Sequence, residues 1–192
     1  MTRQGRRRRS TFAPAVATLA GAITCAMGCA AAERQQWEDT FAGDGDDAFL
    51  VDDDFACFTD RRWADVDGRR VWNVFGGARQ AQAVALAVSR APGEYPVGTV
   101  LQLFTFEAMV KRGAGFSPAT NDWEYLVLDT SSGSTVITAR GTTDVGNVGG
   151  TCLSCHGAAT AHDSVCFTNS SCRPLPFFVD TEVVPASDER CR

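Results

Sequence analysis

The chain of 192 residues contains one lysine, Lys111, and two histidines, His156 and His162. Of its three methionines only Met109 lies beyond residue 28. Basic residues are few and unevenly placed: five of the 18 sit in one block, Arg3, Arg6, Arg7, Arg8 and Arg9. Without that block, 13 basic residues face 23 acids, a formal charge near −10. Such a surface repels nucleic acid and other polyanions. It would suit a basic redox partner, although a solvated acidic face needs no partner. There is no internal repeat, and no low-complexity tract beyond the leader. The acids Asp44, Asp46, Asp47, Asp52, Asp53 and Asp54 lack the glycine and terminal glutamate of a calcium loop, so they read as a solvated linker.

The composition, 44% hydrophobic and 21% charged, is that of a globular protein. Residues 1–28 differ in kind. The arginine block precedes Phe12 to Gly28, which is small, apolar and uncharged. This is the pattern of an export signal, too short for a membrane-spanning helix. It ends in Ala26-Met27-Gly28-Cys29, which resembles a bacterial lipobox, so Cys29 is a candidate for lipidation. Ordinary cleavage after Ala30–Ala32 is the alternative. Residues 29–54 then read as a polar, acidic linker and 55–192 as one domain, in a periplasmic or cell-envelope setting. A lipid anchor would be its only tie to a membrane.

Within the domain, Arg69 to Phe75 reads as a short strand with Trp72 turned inward. The alanine-rich run 80–90 reads as a helix stopped by Pro92-Gly93. Thr99 to Val110 is β-branched and aromatic and reads as one strand. Trp123 to Asp129 and Thr135 to Arg140 read as two more, joined through Ser131-Ser132-Gly133-Ser134. The expectation is an α+β fold, predominantly an antiparallel β-sheet with a few helices.

After Asn147-Val148-Gly149-Gly150 comes Cys152-Leu153-Ser154-Cys155-His156. Two thiols three positions apart with a histidine directly after the second form the signature of covalent c-type haem attachment. Each thiol adds to one vinyl group, and the adjacent imidazole is thereby held beneath the iron. Cys152 and Cys155 are the attachment residues in this reading, and His156 the axial ligand of a single haem c. A zinc site would need a second ligand pair at finger-like spacing, and only Cys166, Cys172 and His162 are near. A redox dithiol would follow a strand in a βαβ unit, which is not visible. With Cys25 and Cys29 in the leader, an even set remains: Cys57, Cys166, Cys172 and Cys191. In an oxidising compartment these read as disulfides, Cys166–Cys172 around a short loop and Cys57–Cys191 across the domain.

Four segments in order, Tyr95-Pro96-Val97-Gly98-Thr99, Met109-Val110-Lys111, Asp122-Trp123-Glu124-Tyr125 and Cys152 to His156, resemble the cytochrome P460 family. The resemblance spans approximately residues 95–176. It implies an antiparallel β fold with some helices, one c-type haem and an open iron position. Family members include hydroxylamine-oxidising enzymes and β-sheet cytochromes c′ that bind nitric oxide or carbon monoxide. In the enzymes a lysine is also crosslinked to the porphyrin, and Lys111 is the only lysine this chain could use. Its neighbours Arg112 and Gly113 suggest instead an exposed strand end with a solvated amine.

The sixth iron position has several candidates. Met109 would make a six-coordinate electron-transfer cytochrome c, but among apolar neighbours it also reads as a core residue. His162 follows His156 too closely to reach the opposite face. Phe104 or Phe106 would cap an open distal pocket. Glu107 and Glu124 would serve as proton acceptors if they faced the haem, and otherwise lie on a solvated sheet face.

Overall fold

The computed structural model describes residues 50–56, 62–66, 69–104, 106–147 and 150–166, all within one compact unit, Trp37–Arg192. Six strands make one sheet in sequence order: β1 (Ala64–Val66), β2 (Arg69–Asn73), β3 (Thr99–Phe104), β4 (Glu107–Lys111), β5 (Trp123–Asp129) and β6 (Val136–Gly141). Every neighbouring pair is antiparallel. The expected α+β meander is therefore the architecture. An α-helix, α1 (Gly77–Ser89), is inserted between β2 and β3, and a short 3-10 turn, Pro118–Thr120, between β4 and β5.

Helix α1 begins three residues before the run read from sequence. It ends in Arg90, whose left-handed backbone (φ 52°) lets its N–H reach the Leu86 carbonyl at 2.9 Å. Ala83 and Ala87, four residues apart, are fully buried against the sheet. Their small side chains permit the close approach. Gln80 fastens the helix to β2, accepting from Asn73 N at 2.5 Å and donating to the Val71 carbonyl at 3.1 Å.

Thr99 to Val110 is not one strand. The chain reverses between Phe104 and Glu107, so that Val100 pairs with Val110 and Leu101 with Met109. β-propensity is equally satisfied by one long strand or by two paired ones, and here cross-strand packing selects the hairpin.

The period-two alternation of strands gives the sheet two apolar faces. One carries Val71, Leu101, Met109, Trp123 and Tyr125, with α1 and the residues around Cys152 packed on it. The other carries Val100, Ala108, Val110, Leu126 and Leu128 and is covered by Leu50, Phe55 and Trp63. Trp72 turns to this second face, half-buried against Trp63 with ring centroids 5.6 Å apart. Leu50 and Phe55 are 2% and 1% exposed, so the packed domain takes in the end of the stretch assigned to the linker. Residues Asp52–Phe55 form a 3-10 turn. Asp52 accepts from Ile137 N at 2.7 Å and Asp54 pairs with Arg62 at 2.8 Å, so these two acids fix the lid of the second face. No helix among the described residues is long and apolar enough to cross a membrane.

Candidate functional site

A two-stranded hairpin, β7 (Gly146–Asn147) with β8 (Gly150–Thr151), delivers the chain into the helix α2 (Cys152–His156). Thr151 caps this single turn, its Oγ1 accepting from Ser154 N at 3.2 Å. Cys152 N donates to the Val145 carbonyl at 2.9 Å, tying the first thiol-bearing residue to the hairpin. Cys152 and Leu153 pack against the face that holds Met109 and Tyr125. Cys152 and Cys155 are free thiols, both half-buried. Burial, and then the Glu107 charge, push the Cys152 thiol up to about 11. A redox dithiol needs its attacking cysteine shifted the other way, so Cys152 is not suited to that role.

His156 is held on two sides. Its ring lies against Tyr125, centroids 5.2 Å apart and tilted by 45°. Its Nδ1 is 2.8 Å from the Ser164 carbonyl oxygen. A carbonyl can only accept, so Nδ1 carries the proton and Nε2 keeps its lone pair. Desolvation lowers the imidazole pKa, favouring this neutral form. A neutral imidazole with Nδ1–H on a backbone carbonyl is the state in which histidine binds a metal through Nε2.

The loop supplying that carbonyl is anchored to the sheet. Asp163 accepts from Lys111 Nζ at 2.6 Å and from Tyr95 N at 2.8 Å. Trp123 Nε1 donates to the Asp163 carbonyl at 2.6 Å, and Asn121 Nδ2 to Ser164 Oγ at 3.0 Å. Burial raises the Asp163 carboxyl above its ordinary value, and the hydrogen bonds from Lys111 and Tyr95 oppose that shift. Lys111 is therefore not a solvated amine: it is 2% exposed, and it also donates to the Asn121 carbonyl at 2.7 Å. Its register explains this, because Lys111 pairs with Trp123 and shares the face of Met109, two residues earlier. A cleft of about 370 Å³ opens beside the anchor, lined by Glu94, Lys111, Asn121, Asp122 and Asp163 among others. Cys152, Cys155 and His156 are not among the described residues that line it.

Glu124 also departs from expectation. It is 3% exposed, and it accepts from Arg112 at 2.6 Å and Arg140 at 2.8 Å. It points to the face opposite Tyr125 and His156, which removes it as a proton acceptor at the haem motif. Glu107 is half-buried and close enough to raise the Cys152 pKa, so it stays on the motif side.

Met109 is 6% exposed in the core, opposite Leu101 on one side and Tyr125 on the other. Phe106 is half-buried in the β3–β4 turn, where its carbonyl accepts from Leu128 N. The Phe104 side chain lies outside the described residues. His162 closes a 3-10 turn, Thr160–His162, on the same loop as Ser164. Cys166 is disulfide-bonded. Cys57, Cys172 and Cys191 lie outside the described residues, and so do the leader, Cys25 and Cys29.

Two buried phenols bear on whether a cofactor fits. The Tyr95 and Tyr125 hydroxyls are enclosed without a hydrogen-bond partner among the described residues, an arrangement native interiors avoid. Tyr125 lies beside His156 and is influenced by Cys152, so an unanswered donor stands at the motif itself. Two free thiols within one helical turn, an imidazole with Nε2 available and an unanswered phenol together fit a thioether-linked haem. Among the described residues, no cluster of three or more His, Cys, Asp or Glu side chains offers a metal site of another kind. Asp163, Ser164 and Asn121 belong to no motif, and Tyr95 enters only as the first residue of a segment that carries the family resemblance. The one sequence signal for their role was Lys111 itself, spaced two residues from a core methionine. Compared with protein-family models, curated proteins and solved structures, the chain matches none.

Proposed function

We propose that this protein is an exported monohaem c-type cytochrome resembling cytochrome P460. Its iron position would be open to a small nitrogenous or diatomic ligand such as nitric oxide, carbon monoxide or hydroxylamine. The observation that carries the reading is the state of His156. Its Nδ1 is committed to the Ser164 carbonyl, and its Nε2 is available one residue beyond two free thiols. Cys152 and Cys155 would form the thioethers and His156 would be the axial ligand. A haem held in this way supplies one-electron redox chemistry and a coordination position for a small molecule.

The chain's own residues do the rest. Tyr125 packs on the imidazole and limits its rotation. Desolvation disfavours the protonated form of His156, so a proton competes less well for Nε2. Met109 is packed between Leu101 and Tyr125 as a core residue, which weighs against sulfur ligation and a six-coordinate electron carrier. The ammonium of Lys111 is already bonded to Asp163 and Asn121, which weighs against a lysine–porphyrin crosslink and so against the hydroxylamine-oxidising enzymes. The periplasm or cell envelope follows from the leader, with a lipid on Cys29 as the membrane tie. A basic redox protein is the partner the acidic surface would suit.

The test is chemical. Protein produced with haem-attachment machinery is denatured, extracted with acid acetone and analysed as the pyridine haemochrome. Haem retained on the chain through a peptide containing Cys152 and Cys155 is the expected result. Haem lost on extraction, or absent, would remove the proposal.

A further inference from the structure

We infer that Lys111, Asp163 and Trp123 are positioning residues for the axial histidine: the sheet reaches across through them to hold the Ser164 carbonyl on His156 Nδ1. The inference rests on the reading of His156 as the iron ligand. It adds residues to which neither the haem motif nor the family resemblance assigns this work.

The helix that carries His156 has only five residues and one capping threonine, too little to fix a ring orientation by itself. The oxygen that does fix it belongs to a loop in an unfavourable conformation. Asp163 and Ser164 are consecutive non-glycine residues in the left-handed region, at φ 54° and 57°. L-residues visit that region singly and reluctantly. Two in succession persist only where their surroundings hold them.

Four donors do so, and each comes from the sheet side. They are Lys111 Nζ from β4, Trp123 Nε1 from β5, Tyr95 N from the segment entering β3, and Asn121 Nδ2 from the turn entering β5. Three converge on Asp163, taking both carboxylate oxygens and the carbonyl. Ser164, the next residue, is 1% exposed and presents its own carbonyl to the imidazole at 2.8 Å. An ion pair this deeply buried is a poor source of net stability. It is well suited to fixing geometry, because parting the two leaves the buried Asp163 carboxylate without its counter-charge.

The consequence for the histidine is specific. An Nδ1–H held on a carbonyl sets the tautomer and increases electron donation from Nε2 to a metal. Loosening the anchor lets the left-handed pair relax, lengthens the Nδ1–H···O bond and weakens that donation.

The experiment is resonance Raman spectroscopy of the ferrous holoprotein, reading the iron–histidine stretching frequency. It compares wild type with Asp163→Asn and Trp123→Phe. Asp163→Asn leaves one carboxamide oxygen for two donors, and Trp123→Phe deletes a single N–H while keeping an aromatic ring in the core. Both variants are expected to keep covalent haem and to shift the stretch downward. Glu94→Gln changes a carboxylate 3.6 Å from Lys111 Nζ on an exposed side chain, so it should leave the stretch in place. An unchanged stretch in Trp123→Phe or Asp163→Asn holoprotein, even with lowered thermal stability, would overturn the inference and leave these residues as structural staples. Failure of the underlying reading looks different: the wild type would then carry no covalent haem or show no iron–histidine stretch. If Asp163→Asn does not accumulate, Trp123→Phe decides alone.

Discussion

At the scale of single residues, burial reverses what charge alone suggests. Lys111 and Glu124 both read as solvated from their sequence neighbours, and both are nearly inaccessible. Their compensating partners are remote or cross-strand: Asp163 lies 52 positions from Lys111, and Arg140 lies 16 from Glu124. No local pattern announces such pairs. Glu124 sits between two guanidinium groups, one of them 3% exposed, so removing its carboxylate takes a counter-charge away from a buried cation. Glu124→Ala is expected to lower unfolding stability by about 3–5 kcal/mol, read from urea titration.

Cys152 supplies a pH test on the chain made without haem. Its thiol is raised from an ordinary 9.0 to about 11, so the folded state prefers the protonated form. Its contribution to stability is complete below pH 9 and is lost as pH rises towards about 11. Iodoacetamide should accordingly label Cys152 slowly at pH 8 and faster as pH approaches about 11. Rapid labelling at pH 7, read by mass spectrometry, would contradict the burial assigned to it.

At the scale of elements, β5 was legible to the residue, because Trp123 to Asp129 is β-rich and bounded by turn residues on both sides. Helix α1 was legible in its body, and its start was missed because Gly76 caps it without a side-chain signal. The β3–β4 reversal was hidden, since no glycine, proline or asparagine marks it. The small hairpin β7–β8 matters more than its size suggests, because it aims Cys152. Gly146 has no room for a side chain: a Cβ there would meet the Gly150 carbonyl oxygen, with Thr151 Cα at 2.7 Å. These are backbone atoms, which cannot rotate away. Gly146→Ala should therefore cost about 1–3 kcal/mol of stability and reduce the yield of haem-bearing protein. Unaltered stability and yield would mean the hairpin does not place the motif.

For the molecule as a whole, the sheet has a division of labour. One face is closed by Leu50, Phe55 and Trp63 as a packed apolar layer. The other bears the helix, the haem motif and the anchor of its loop. The thiols and the histidine stand out in the sequence because their spacing matches the signature of covalent haem attachment. The loop that orients the histidine does not, because its role depends on strands brought beside it only by folding.

In the proposed cytochrome, His156 is the one strong protein ligand and leaves a coordination position open. The most direct measurement is the absorption spectrum of the reduced holoprotein before and after carbon monoxide. A five-coordinate, high-spin ferrous spectrum that converts promptly to a carbonyl adduct is the predicted result. A low-spin ferrous spectrum indifferent to carbon monoxide, and made reactive by Met109→Ala, would contradict it and identify an electron-transfer cytochrome instead.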